Sequence, residues 1–144
     1  MILSRRAEYG IRAMLEIATL PPNMKAVIPD IASRQDIPPI FLAKIVPRLA
    51  KAGLLQTYRG VSGGVTLGQP PEEINLRQII EAVEGPIALN HCSLHPQNCS
   101  RHSLCPMLDL WCEAQTELND RLENTLLSDL VKRNAELQRA EVTE

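Results

Sequence analysis

All four cysteines of this 144-residue chain, Cys92, Cys99, Cys105 and Cys112, and its three histidines, His91, His95 and His102, lie between His91 and Cys112. The cysteine spacing is C-x6-C-x5-C-x6-C, which is not the C-x2-C pairing of a zinc ribbon or finger. Ser, Asn, Gln and Pro around the thiols predict a loop. A loop can wrap several thiolates around an iron–sulfur cluster, an object larger than one ion. Zinc and a metal-free thiol switch are the alternative chemistries. Cys92, Cys99 and Cys105 share the loop, with Cys105 just ahead of a helix expected from Pro106. Cys112 would then lie about 10 Å further along that helix at 1.5 Å per residue, and it reads as a packed helix residue. The fourth ligand would come from elsewhere, with the histidines and Asp109 as candidates. No C-x-x-C motif and no nucleophile–base pair supports an enzyme.

The preceding sequence contains the elements that must carry such a loop. Residues 4–20 read as a helix capped by Ser4, with Tyr9, Ala13, Met14, Ile17 and Leu20 on one side. Pro21-Pro22-Asn23 ends it. Val27-Ile28 reads as a short extended piece, and Pro29 opens a second helix reaching about Arg34. Gln35-Asp36-Ile37 is the turn, and Asp36 is the expected cap of a third helix, Pro38 to Ala52, closed by Gly53. Pro47 inside that helix should kink it. Leu54-Leu55-Gln56-Thr57-Tyr58 and Val65-Thr66-Leu67 read as strands joined by a glycine-rich turn, Arg59 to Gly64, with three positions able to take positive φ.

Helix, short helix, turn, helix and hairpin, in that order, form a winged helix-turn-helix. The third helix would enter the major groove with Ile40, Phe41 and Lys44, and Arg59 would stand at the wing tip. A short amphipathic helix with Leu76, Ile79, Ile80 and Val83 follows, closed by Gly85-Pro86. From Pro106 a stripe runs through Leu108, Trp111, Gln115, Leu118, Leu122, Leu126 and Leu130. One long helix with a single apolar stripe is best covered by a second copy of the chain. The expected division is 1–85 DNA-binding domain, 86–105 cysteine loop, 106–138 dimerisation helix and 139–144 frayed tail. The fold class is therefore mainly α with a small β-wing.

Composition agrees with this once it is partitioned. Aromatics make up only 3% of the chain, so the core must be built from Leu, Ile, Val and Ala, which disfavours a β-sandwich. No apolar run approaches the ~20 residues of a membrane span, and no signal core opens the chain, so a cytoplasmic protein is expected. The net charge of −2 hides a division. Residues 1–60 hold nine Lys/Arg against four acids, while the remaining residues are acidic. The basic end suits a polyanion.

Three segments carry a family resemblance. Leu3-Ser4-Arg5-Arg6-Ala7-Glu8-Tyr9-Gly10-Ile11-Arg12-Ala13-Met14 resembles the first helix of the IscR/NsrR/RirA family of bacterial regulators. So do Phe41-Leu42-Ala43-Lys44-Ile45 with Arg48 to Leu55, and the wing from Arg59 to Leu67 with the three-cysteine loop. The resemblance spans about residues 1–135. It implies a homodimeric winged-helix transcription factor whose binding to double-stranded operator DNA is controlled by an iron–sulfur cluster, sensing iron, redox state or nitric oxide. Cys92, Cys99 and Cys105 match the cluster cysteines. In the nitric-oxide-sensing branch the fourth ligand is a carboxylate from the partner's first helix, where this chain has Glu8. The cluster-assembly branch uses a histidine at the position of Leu108. The carboxylate analogy favours [4Fe–4S] over [2Fe–2S]. The candidate DNA-facing set is Ser4, Arg5 and Tyr9, then Ile40, Phe41 and Lys44, then Arg59, Gly60, Ser62 and Gly63. Pro47 and the apolar Ile40 depart from the family's usual choices.

Overall fold

The computed structural model describes residues 3–143. Helix α1 (Arg5–Thr19) starts at Ser4, whose hydroxyl accepts the Ala7 N–H at 3.2 Å. Helix α2 is Ile28–Gln35, with a proline in its first turn. Helix α3 (Pro39–Lys51) ends in a left-handed glycine cap: Gly53 (φ 81°) donates to Ala50 and Leu54 donates to Leu49. Strands β1 (Leu55–Tyr58) and β2 (Gly64–Leu67) pair antiparallel with Leu55 opposite Leu67. The extended contact before α2 is made by Ala26 rather than by Val27-Ile28, since Ala26 and Val65 exchange two hydrogen bonds of 2.8 Å and Ile28 already opens α2.

Asp36 departs from the expected role. It does not cap α3; it closes α2 in a left-handed conformation (φ 53°, ψ 51°), its N–H bonded to Ala32 O. Pro38 holds the capping position of α3 and Pro39 its first turn, so Asp36 lies too far back to reach the helix N–H groups. Aspartate tolerates this conformation better than most residues. Pro47 lies inside α3 with an exposed side chain. The carbonyl it leaves without a helical donor, that of Ala43, belongs to another exposed residue, which limits the cost of the missing bond.

Helix α4 (Leu76–Glu84) begins with a reciprocal cap between Asn75 and Gln78 and ends at Gly85 (φ 89°). It crosses α1 where Gly10 meets Val83. The core joins Ala13, Met14 and Ile17 of α1 to Ile31, Leu42, Ile45, Leu49, Val65, Ile79 and Val83. Segment 86–105 is a chain of single turns, containing a four-residue helix α5 (His91–Leu94) and a 3-10 turn at Pro96–Asn98.

The largest departure is at the C-terminus. The expected helix 106–138 is two helices, α6 (Leu108–Glu123) and α7 (Leu127–Thr143), and α7 continues through most of the supposed tail. Between them, Leu76 N–H donates to Thr125 O at 2.9 Å and Leu127 N–H to Ile74 O at 2.7 Å. Leu127 is fully buried in the core, with Leu130 packed against it. The chain breaks because those backbone bonds and the burial of Leu127 outweigh a few residues of continuous helix. Asp129 then accepts the Leu126 N–H at 3.0 Å and starts α7. None of the helices among the described residues is long and apolar enough to cross a membrane.

Candidate functional site

Two surfaces carry the chemistry. The first is built by α1, α3 and the wing. Arg12 Nη1 donates to Gln35 O at 2.8 Å, and Glu16 accepts from Arg34 and Gln35, so α1 grips the end of α2. This fixes the turn that aims α3. At the start of α3, Ile40 is 66% exposed, Lys44 is exposed and Phe41 is half-buried. Tyr9 is only 6% exposed. Its ring meets Phe41 edge-on at 5.1 Å and carries the Arg12 guanidinium at 4.9 Å. Tyr9 is therefore a packing residue that sets Phe41 rather than a presented reader, since the aromatic ring fills the α1–α3 seam. Ser4 is occupied as a helix cap, and Arg5 is exposed beside it.

At the wing tip Arg59, Gly60 and Ser62 are exposed, and Gly63 is partly covered. Gly63 N–H donates to Gly60 O at 3.0 Å to close the turn. Positive φ occurs at Gly60 (96°) and at Gly64, not at three positions. Gly63 is required for space instead: a Cβ there would lie 2.5 Å from the Tyr58 carbonyl oxygen. Lys25 is absent from the sequence candidates. Its Nζ donates to Ser62 O at 3.2 Å and sits 4.2 Å from the Tyr58 ring centre, bracing the wing from outside. No local pattern marks it, because its partner lies 37 residues away. Arg5, Lys44 and Arg59 are exposed and enter no ion pair among the described residues.

The second surface is the cysteine loop. Cys92 stands in α5, Cys99 follows the 3-10 turn, and Cys105 lies three residues before α6, whose first residue is Leu108 rather than Pro106. All four cysteines are free and half-buried. Cys112 lies one turn into α6, as the helix geometry suggested, and its carbonyl accepts the Thr116 hydroxyl at 3.0 Å. Glu8 is exposed on α1, and Asp109 is exposed in the first turn of α6. The three histidines are exposed, and His102 Nδ1 approaches Cys99 O at 2.9 Å. Among the described residues no three Cys, His, Asp or Glu side chains of one chain gather at metal-binding range. The donors suit an iron–sulfur cluster by kind, since three thiols are carried on short turns.

Gln115 is the residue that the periodicity misread. Counted in an apolar stripe, it is 6% exposed and fully hydrogen-bonded. Its Oε1 accepts the Leu89 N–H at 2.7 Å and lies 3.0 Å from the Ser93 hydroxyl. Its Nε2 donates to Ile87 O and to Asn119 Oδ1, both at 3.0 Å. Arg77 links α4 to α6, at 3.1 Å from Glu81 and 3.5 Å from Glu123. The hydrogen bond to Glu81 chiefly raises the Arg77 pKa above its ordinary value, so the guanidinium stays charged.

These geometries agree with what the chain is similar to. The family described as Rrf2, iron-dependent transcriptional regulator, matches residues 3–133. The HTH-type transcriptional regulator NsrR of Halalkalibacterium halodurans is 31% identical over 96% of this chain and 95% of its own. T. potens IscR superposes with a TM-score of 0.77 at 25% identity, over 96% of this chain and 91% of that one. The oxidised form of Staphylococcus aureus CymR gives 0.72 at 28% identity, over 91% and 96%. With a helix-turn-helix and wing in place, and a family match running from the first helix into the last, this chain belongs to the Rrf2 family and is a DNA-binding transcriptional regulator.

Proposed function

We propose that this regulator works as a homodimer whose affinity for operator DNA is set by an iron–sulfur cluster held on the cysteine loop. The observation that carries the reading is the set of three free thiols, Cys92, Cys99 and Cys105, on one turn-built segment. The likeness to NsrR and IscR supports it. These three cysteines would hold the cluster together with Glu8 of a second copy, and [4Fe–4S] suits a carboxylate-containing set better than [2Fe–2S]. A bound cluster would supply a centre open to oxidants and nitric oxide. The second copy would cover α6 and its approach, where Leu104 is 86% and Leu110 51% exposed beside Met107. Ile40 and Lys44 would face the major groove, and Arg59 the minor groove or its phosphates.

Anaerobic reconstitution with ferrous iron and sulfide tests this. The expected product has visible charge-transfer absorption, acid-labile sulfide, and a DNA affinity different from that of the cluster-free protein. Zinc without sulfide, or a DNA affinity indifferent to loading, overturns it. The second reading is a thiol switch on the same scaffold. It is favoured by the four free thiols on one stretch of chain and by the likeness to the oxidised form of Staphylococcus aureus CymR. Oxidant alone would then change DNA affinity in metal-free protein.

Arg59→Ala is expected to weaken DNA binding nearly uniformly across sequences and to lower the slope of log affinity against log salt by about one, the value for one phosphate contact. Titration of fluorescent duplex at several salt concentrations measures both. An unchanged slope and affinity would remove Arg59 from the interface.

A further inference from the structure

We propose that Gln115 is the positioning residue of the cysteine loop, tying the backbone ahead of Cys92 to α6. The inference deepens the sensing role proposed above and rests on it for its consequence, though not for its geometry. The segment from Gly85 to Asn90 has little to hold it, since it lies between two short helices. Gln115 grips it at two levels, donating to Ile87 O and accepting from Leu89 N–H. Those partners admit only one amide orientation, because a carbonyl can only accept and an N–H can only donate. Ser93, the residue after Cys92, shares its single hydroxyl proton between Gln115 Oε1 at 3.0 Å and Asn90 O at 2.8 Å. Cys92 is thus bracketed by bonds to one buried side chain. On the far side of the same linker, Arg48 of α3 donates to Val83 O at 2.6 Å, near the end of α4. A rearrangement of Cys92 would therefore strain a linker clamped by α6 on one side and by the reading helix on the other.

The test is the alkylation rate of each cysteine in the cluster-free, full-length protein, followed by peptide mass spectrometry with iodoacetamide. Gln115→Met keeps the length and volume of the side chain but cannot make these bonds. Loss of a buried, fully satisfied amide is expected to raise local opening, and with it the Cys92 rate, about tenfold. The Cys112 rate, on α6 itself, should stay within about twofold, because a local opening leaves the rest of the fold closed. Gln115→Glu retains the acceptor for Leu89 and Ser93 and should fall between the two. A Cys92 rate equal to wild type in both variants overturns the proposal, as does a rise shared equally by Cys112, which would mark general loosening. Reconstitution of the wild-type chain separates the two ideas: failure to take up iron and sulfide would defeat the sensing reading while leaving the alkylation result to judge Gln115.

Discussion

Cys92→Ala, Cys99→Ala and Cys105→Ala, made together, are expected to abolish cluster formation, with the visible absorption and acid-labile sulfide of the reconstituted protein falling to background. Iron–sulfur clusters depend on thiolate ligation, and a lone oxygen or imidazole donor cannot stand in for three thiolates. The chain has one further cysteine, Cys112, one turn into α6 and part of a continuous helix. It lies on α6, outside the turn-built segment that carries the other three thiols, so Cys112→Ala should leave the absorption intact. The fold should survive the triple replacement, because none of the three cysteines belongs to the buried core. Far-ultraviolet circular dichroism and DNA binding of the cluster-free form would verify that. Full absorption in the triple variant would overturn the ligand assignment, and loss of absorption in Cys112→Ala alone would replace one of its members.

Gly10→Leu should produce the largest loss of stability, about 3 kcal/mol, at the upper end of what overpacking a tight core contact brings about. Gly10 is buried on α1 where α4 crosses, and an added Cβ would stand 3.0 Å from Val83 Cγ2. A leucine cannot be placed there unless α4 moves outward. The displacement would also pull on the Arg48–Val83 bond and so disturb α3. Gly10→Ala is a useful contrast: about 1 kcal/mol of helix propensity is gained and a similar amount is lost to the close contact, so its net effect should lie near zero. Urea denaturation of the two variants measures the difference. With a total stability of about 5–15 kcal/mol for a domain of this kind, the leucine variant should stay mostly folded at 25 °C, so any loss of DNA binding would report the disturbed α3. A wild-type midpoint for Gly10→Leu would show that the two helices can separate freely.

The winged helix is legible in the sequence because its signals are local. Ser4 caps α1 and Gly53 terminates α3 through bonds made within a few residues. The cysteine loop is legible for a related reason: residue type and crowding do not depend on the fold. Asp36 lies in the expected turn but not in the expected role, because a left-handed aspartate and a capping aspartate look alike in sequence. Tyr9 is an aromatic residue on the helix that opens the DNA-facing set, and nothing in its own neighbourhood reveals that Phe41, in another helix, covers it. The leucine stripe crosses residues 124–126 without interruption, although the helix does not.

Local sequence by itself determined the order of the winged-helix elements, the caps at Ser4 and Gly53, the basic end and the three loop thiols, since each follows from bonding or composition over short stretches. Tertiary structure alone decided where α6 stops, what Gln115 does and which aromatic is presented. Each of those outcomes turns on a partner distant in sequence: Ile74 and Leu76 for the break, Ile87 and Leu89 for Gln115, Phe41 for Tyr9. A buried polar side chain and an apolar one can occupy the same helical position. Only the presence of backbone groups in need of partners selects between them.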